Sequence, residues 1–75
     1  MFCYELKVEG MKCGMCEAHV NDLIRKEYIN ARKVKSNHKK NLTKFCIKES
    51  INEDELRMKV ENLGYRVKEI KVEEK

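Results

Sequence analysis

Polar and apolar side chains alternate over residues 3–8, which is the period-two pattern of a strand with one buried face. Tyr4, Leu6 and Val8 mark that face. From Gly14 to Glu27 the apolar spacing lengthens to three and four residues, and this predicts an amphipathic helix. The apolar positions of this helix are Val20, Leu23, Ile24 and Tyr28.

Two further strands are predicted in the middle of the chain. The first runs from Ala31 to Ser36, and the polar segment from Asn37 to Asn41 turns the chain. The second has Thr43, Phe45 and Ile47 on its buried face. Their closeness along the chain indicates a hairpin.

A second helix and a last strand complete the pattern. Asn52 followed by Glu55 resembles a capping box, with Asn in place of the usual Ser or Thr. Gly64 is placed to end this helix, and a fourth strand follows from Tyr65 to about Val72. The apolar stripe of the helix is Leu56, Val60 and Leu63, and the inward positions of the strand are Val67 with Ile70 or Val72.

The element order β-α-β-β-α-β predicts an α+β fold with a four-stranded antiparallel sheet and two helices on one face. The 75 residues form one domain, residues 1–75, which is too small for the deep cleft of a multistep enzyme. RNA-recognition domains share this topology, but their aromatic motif is absent from the third strand here. We therefore expect neither an enzyme nor a nucleic-acid-binding protein.

The chain is highly charged, with 40% charged residues and a formal net charge of +4. The densest basic run, from Arg32 to Lys40, is read as a solvated strand and hairpin turn. No apolar stretch approaches the ~20 residues of a membrane span, and the first residues do not form a signal peptide. We expect a cytoplasmic protein without direct membrane insertion.

Cys13 and Cys16 carry the candidate chemistry. They lie three residues apart between the first strand and the first helix, and paired thiolates suit soft metal ions. Cys16 is expected in the first turn of the helix, where free N–H groups and the helix dipole stabilise an anion. Two thiolates suit Cu(I) but leave a tetrahedral Zn(II) ion short of ligands.

A family resemblance rests on Gly-Met-x-Cys-x-x-Cys at residues 10–16, on the helix after it, and on Leu63-Gly64-Tyr65. From Tyr4 to about Val72 the chain resembles the heavy-metal-associated domain family. That family includes small bacterial-type copper chaperones and the metal-binding domains of heavy-metal P-type ATPases. The resemblance implies a ferredoxin-like βαββαβ two-layer sandwich.

The resemblance also implies a function. Cys13 and Cys16 would hold Cu(I), while Met11 and Tyr65 would support the site without being ligands. A soluble metallochaperone of this kind passes its ion by ligand exchange to a copper-transporting P-type ATPase or a similar domain. It acts as a monomer or as a metal-bridged dimer.

Two positions depart from the family pattern. Lys12 stands where Thr is common, and it offers no extra carboxylate of the kind seen in related zinc-transport domains, so copper is favoured over zinc or cadmium. Lys59 replaces a small or apolar residue on the second helix. We expect it at the edge of the buried stripe, or with its ammonium extended to water.

Several alternatives stay open from the sequence. The chain could be the regulatory metal-binding domain of a copper-transporting ATPase, or a zinc-, cadmium- or mercury-binding domain. His19, one turn after Cys16, is an exposed helix residue or an auxiliary ligand. A closed zinc site would also need a fourth ligand such as His38, which we expect far from the cysteines. Dithiol redox chemistry is a further alternative, although the chain lacks the proline that thioredoxin-like proteins place opposite their cysteines.

Cys3 and Cys46 pose a separate question. Both are expected on the open face of the sheet, on antiparallel neighbouring strands. They are either two small surface residues or a pair that oxidises or binds a second metal ion.

Overall fold

Four strands and two helices follow one another in the order β-α-β-β-α-β in the computed structural model, which describes residues Met1–Lys75. Their bounds are β1 Phe2–Glu9, α1 Gly14–Glu27, β2 Arg32–Asn37, β3 Leu42–Ile47, α2 Glu53–Glu61 and β4 Arg66–Glu74. The fold is the predicted ferredoxin-like α+β sandwich. Neither helix is long and apolar enough to cross a membrane.

The strands form one antiparallel sheet in the order β2-β3-β1-β4. In the central pair Tyr4 lies opposite Phe45 and Leu6 lies opposite Thr43. These side chains are buried, as the alternation along each strand predicts. The buried residues of both helices belong to the same cluster, so both helices cover one face and leave the other open. The helix residues of that cluster are Val20, Ile24, Leu56 and Val60.

Aromatic stacking fills the middle of the core. The ring of Phe45 stacks on Tyr4 at a centroid distance of 5.4 Å and on Tyr28 at 6.1 Å. Leu6 and Ile24 are fully buried beside them. Burying each such aliphatic side chain contributes about 1.5–3 kcal/mol, so this cluster is the main source of stability.

Thr43 is the one buried polar residue in the core. Its hydroxyl lies 2.9 Å from that of Ser36, which in turn donates to the side-chain oxygen of Asn21 at 2.7 Å. Because its hydroxyl has a partner, the buried Thr43 avoids the cost of an unpaired polar group. The same chain of bonds ties β3 through β2 to α1.

The predicted element boundaries agree with the structure to within one or two residues. The first helix has the predicted bounds, and Asn52 caps the second by accepting from the N–H of Glu55 at 3.0 Å. The reciprocal half of the capping box is absent, since Glu55 pairs with Lys59 at 2.8 Å. Gly64 follows the helix with a φ of +102°, the conformation predicted for it.

The apolar stripe of the second helix is shorter than predicted. Leu63 is 43% exposed, because α2 ends at Glu61 and the chain then tightens into a turn in which the N–H of Leu63 donates to the carbonyl of Val60 at 3.1 Å. In the fourth strand Val67 and Ile70 face inward, which is one of the two predicted alternatives, whereas Val72 is 46% exposed. Both can face inward because a bulge shifts the register between Lys7 and Val8.

Lys59 lies where the expectation allowed, at the edge of the core. Its ammonium pairs with Glu55 and, at 3.5 Å, with Glu27. It also lies 4.8 Å from the centre of the Tyr28 ring. The hydrogen bond to Glu55 raises the pKa of Lys59, so the side chain stays charged and joins the two helices at this edge.

Candidate metal centre

Cys13 and Cys16 occupy the start of α1. Cys13 is the N-cap residue, with an extended backbone (φ −160°), and its carbonyl accepts from the N–H of Cys16 at 3.1 Å. Cys16 therefore lies in the first helical turn, as predicted. Both are free thiols, Cys13 exposed and Cys16 partly buried.

The surroundings of Cys16 favour its thiolate. Hydrogen bonds from the backbone of Lys12 and then from the side chain of Tyr65 lower the pKa of Cys16 from its ordinary value of 9.0 to about 7. The same contact with Cys16 raises the pKa of Tyr65 to about 12. Tyr65 is thus a protonated donor near neutral pH, and Cys16 forms its thiolate at a lower pH than an ordinary cysteine does.

Met11 and Gly10 fix the loop in front of the cysteines. Met11 is 5% exposed and belongs to the core cluster, so its side chain anchors the loop. Gly10 has a φ of +106°, and a Cβ there would lie 3.2 Å from the ring of Tyr65. Glycine therefore serves both the backbone conformation and the close approach of that ring. In the sequence Gly10 is recognisable only as part of the motif, and its contact with Tyr65 is not.

Two thiols are the donor set that the structure brings together. No group of three or more His, Cys, Asp or Glu side chains is close enough to hold a metal ion. His19 is exposed on α1 and its auxiliary role stays a prediction. Met15, between the cysteines, is 69% exposed. The donor set matches a soft ion of low coordination number.

His38 lies closer to this region than expected. Its Nδ1 is 2.6 Å from a carboxylate oxygen of Glu17, and its backbone N–H donates to the same oxygen at 2.7 Å. His38 lies at this end of the molecule because β2 runs back toward the end of the sheet where β1 finishes, but it joins no group of metal-ligating side chains with the cysteines. The N–H of Val8 donates to the carbonyl of Asn41 at that end, at 2.8 Å.

The contact with His38 also changes the pKa of Glu17. The backbone N–H of His38, followed by its side chain, lowers the pKa of Glu17. The carboxylate next in sequence to Cys16 is therefore used to fasten the β2–β3 turn onto α1. The predicted strand order could have indicated that the β2–β3 turn lies close to α1, since the turn and the cysteine loop lie at the same end of the sheet.

Cys3 and Cys46 form a disulfide. They lie directly opposite each other in the β1–β3 register, with Cα atoms 4.0 Å apart. Of the two sequence-based alternatives, the structure therefore contains the pair. It lies where β1 starts and β3 ends, whereas Cys13 and Cys16 follow the other end of β1.

Comparison with known proteins gives matches among solved structures. No protein-family model matches the chain, and no curated protein matches it. The copper chaperone Atx1 from Synechocystis PCC6803, in a trimeric form of a histidine-to-tyrosine mutant, is similar with 25% identity and a TM-score of 0.66. That match covers 85% of this chain and 97% of the other.

A second similar structure is the CopZ metallochaperone, with 23% identity and a TM-score of 0.74 over 87% of this chain and 97% of that chain. A side-to-side form of Atx1 shares 23% identity and a TM-score of 0.66, with 85% and 97% covered. The structural neighbours named here are thus a copper chaperone and a metallochaperone that share the fold of this chain.

Proposed function

We propose that this protein is a metallochaperone that holds Cu(I) between the thiolates of Cys13 and Cys16 and passes it to a partner. The observation that carries the proposal is the pair of free thiols at the start of α1, with the pKa of Cys16 lowered to about 7. Thiolate is the form that binds metal. The fold shared with Atx1 and CopZ supports the same function.

Ligand exchange is the transfer step that suits this site. A two-coordinate ion has room for an incoming thiolate, which forms one new bond to copper before the bond to Cys13 or Cys16 breaks. Cys13 is the exposed thiol of the two and is the accessible point for that exchange. The ion is never free in solution during the transfer.

The partner we propose is a copper-transporting P-type ATPase, or a domain like this one, in the cytoplasm. Lys12 and Arg66 are exposed near the cysteines, and they favour an acidic docking face. Met15 and Leu63 are exposed apolar side chains at the same end and are available for contact. Transfer should therefore slow as salt concentration rises.

Anaerobic titration with Cu(I) against a chromogenic chelator, with the Cys3–Cys46 disulfide kept intact, tests the proposal. We expect tight binding of about one ion per chain, as a single two-thiolate site dictates. The Cys13→Ser/Cys16→Ser variant should lose the tight binding, whereas the matched Cys3→Ser/Cys46→Ser variant should keep it. Tight binding that survives in the first variant and disappears in the second would overturn the assignment.

The transfer step needs a second measurement. Copper-loaded protein is mixed with increasing concentrations of a thiol acceptor, and the rate of copper loss is followed. Ligand exchange predicts a rate that rises with acceptor concentration. A rate independent of acceptor would indicate dissociation and would contradict the proposed step.

A further inference from the structure

The open face of the sheet carries a second sulfur pair that the proposed function does not use. Cys3 on β1 and Cys46 on β3 are joined there, and both are partly buried rather than enclosed. They line a broad groove of about 800 Å³. A small thiol in solution can therefore reach the bond, and accessible disulfides are the ones most easily reduced.

The groove around the pair is strongly basic. Its charged lining is five lysines against two glutamates, and the lysines are Lys33, Lys35, Lys44, Lys71 and Lys75. Lys44 pairs with Glu5 at 3.4 Å, and the other four lysines form no ion pair. Nearby ammonium groups stabilise thiolates, so reduction of the disulfide would leave anionic sulfurs in a cationic groove.

The backbone holds these sulfurs at a distance suited to one soft ion. The two Cα atoms are 4.0 Å apart in a fixed antiparallel register. Once the bond is broken, rotation about Cα–Cβ separates the sulfurs by a few ångströms. Two metal–thiolate bonds of about 2.3 Å each need at most about 4.6 Å between them. The reduced sulfurs of Cys3 and Cys46 are therefore close enough to bind one metal ion between them.

The number of ligands decides which ion fits. No third His, Cys, Asp or Glu side chain completes the set at either cysteine pair. Zn(II) takes four ligands in a structural site, whereas Cu(I) is served by two thiolates. The Cu(I) complex with two thiolates has a net negative charge, which the lysines of the groove offset.

We infer that Cys3 and Cys46 form a second, redox-gated Cu(I) site on the open face of the sheet. In the reduced state two thiols bind one Cu(I) and release two protons. In the oxidised state the site is closed by the disulfide seen here. The choice of copper rests on the proposed function. The Cys3–Cys46 pair and its closure by a disulfide do not involve Cys13 or Cys16.

The closing step is thiol–disulfide exchange with a low-molecular-weight disulfide such as oxidised glutathione. One cysteine thiolate attacks the small disulfide, forms a mixed disulfide and expels one thiol. The second cysteine then displaces the other thiol as the Cys3–Cys46 bond forms. The protein loses two electrons and two protons, and the small disulfide gains both to become two thiols.

The test uses the full chain carrying Cys13→Ser/Cys16→Ser, so that Cys3 and Cys46 are its only sulfur pair. One sample is reduced and freed of reductant, and a matched sample is treated with oxidised glutathione. Both are titrated anaerobically with Cu(I) against the chromogenic chelator, and the ultraviolet thiolate-to-copper absorption is recorded. The variant with all four cysteines replaced by serine is the matched control.

We expect about one Cu(I) per chain in the reduced sample and less than about a tenth in the oxidised sample and in the control. Equal binding in all three would overturn the inference, and so would one ion shared by two chains with a doubled molecular mass. Circular dichroism follows the reduced sample, because unfolding on reduction would make the disulfide purely structural. The Cys3→Ser/Cys46→Ser variant reports separately on Cys13 and Cys16, so a failure of either site is recognised on its own.

Discussion

The two cysteine pairs of this protein are built in different ways. Cys13 and Cys16 are three residues apart, and the start of a helix presents them as free thiols. Cys3 and Cys46 are 43 residues apart in sequence, and strand register places them face to face as a disulfide. Local spacing thus yields an open ligand pair, whereas the sheet yields a cross-link.

The electrostatic settings of the pairs also differ. At the helix start, backbone and tyrosine hydrogen bonds hold the pKa of Cys16 at about 7. On the sheet, the charge comes from lysine side chains around the groove. Hydrogen bonds act on one identified sulfur, whereas the lysines act on the whole groove. A change at one pair can therefore be measured with the other pair as the reference.

The largest expected effect is on stability, from reducing Cys3–Cys46. The disulfide closes a loop with a sequence separation of 43. In the chain-entropy model a loop of this size stabilises the folded state by about 4 kcal/mol. Urea denaturation of the Cys13→Ser/Cys16→Ser variant, with and without reductant, measures the difference.

The matched control for that measurement is Cys3→Ser/Cys46→Ser, whose free energy of unfolding should not respond to reductant. A difference below about 1 kcal/mol in the first variant would show that the cross-link contributes little to folding, at the low end of the observed range. The two cysteine pairs would then differ in their chemistry but not in their contribution to the free energy of unfolding.

Single substitutions at the helix start should come next in size. Replacing either Cys13→Ser or Cys16→Ser leaves one thiolate and should weaken Cu(I) binding by about 100-fold or more, beyond the 10–100-fold typical of residues outside the ligand set. Competition with the chromogenic chelator measures this. The Cys3→Ser/Cys46→Ser background removes any contribution from the sheet pair. A loss of less than tenfold would mean that one cysteine of the two is not a ligand.

Tyr65→Phe should have a smaller, pH-dependent effect. Without the tyrosine hydroxyl, the pKa of Cys16 should rise from about 7 toward its ordinary value of 9.0. A rise of about one unit lowers the thiolate fraction at pH 7 from about one half to about one tenth. The rate of alkylation by iodoacetamide at pH 7 should fall by that ratio.

The pH dependence of alkylation distinguishes a raised pKa of Cys16 from damage to the fold. Since the altered group is an acid with a raised pKa, the variant should recover full reactivity above pH 9, where the thiolate forms in both proteins. Tyr28→Phe is the matched control, because Tyr28 is partly buried against the core, where its ring stacks on Phe45. An unchanged pH profile in Tyr65→Phe would leave the hydrogen bonds from Lys12 and Cys13 as the causes of the lowered pKa of Cys16.

His38→Gln should have the smallest effect. The imidazole contact with Glu17 is lost, but the backbone N–H of His38, the larger cause of the lowered pKa of Glu17, remains. We expect only a small loss in the free energy of unfolding, the smallest of these changes, as is usual for partly exposed polar contacts. Urea denaturation at pH 7 measures it.

The pH dependence of that loss has a definite direction. A carboxylate with a lowered pKa stabilises the fold above the pKa it has when unfolded, and this stabilisation disappears as pH falls through the folded value. The difference between the parent protein and His38→Gln should therefore shrink in acid. His19→Gln, an exposed change on the same helix, should show no difference at any pH.

Much of this fold was predictable because its signals are short-range. The alternation in β1 and the period of α1 depend on neighbouring residues, and the structure has both as predicted. Asn52 and Gly64 mark helix ends by local backbone chemistry. The place of Cys16 in the first helical turn follows from the same local rules.

Other features depend on residues that are distant in sequence, and there prediction was partial or wrong. Val67 and Ile70 both face inward because of a bulge in the pairing of β4 with β1. Simple alternation within β4 does not predict this bulge. The contact of His38 with Glu17 has a similar origin. Its position follows from which ends of the strands coincide, a property of the whole sheet.

The sequence by itself determined the two dithiol candidates and the elements that carry them, because periodicity, caps and the spacing of Cys13 and Cys16 act over a few residues. Only the tertiary structure decided that Gly10 admits the Tyr65 ring beside Cys16 and that Cys3 meets Cys46 as a disulfide. These contacts join segments separated by dozens of residues. Their geometry is fixed by packing and strand register after the chain has folded.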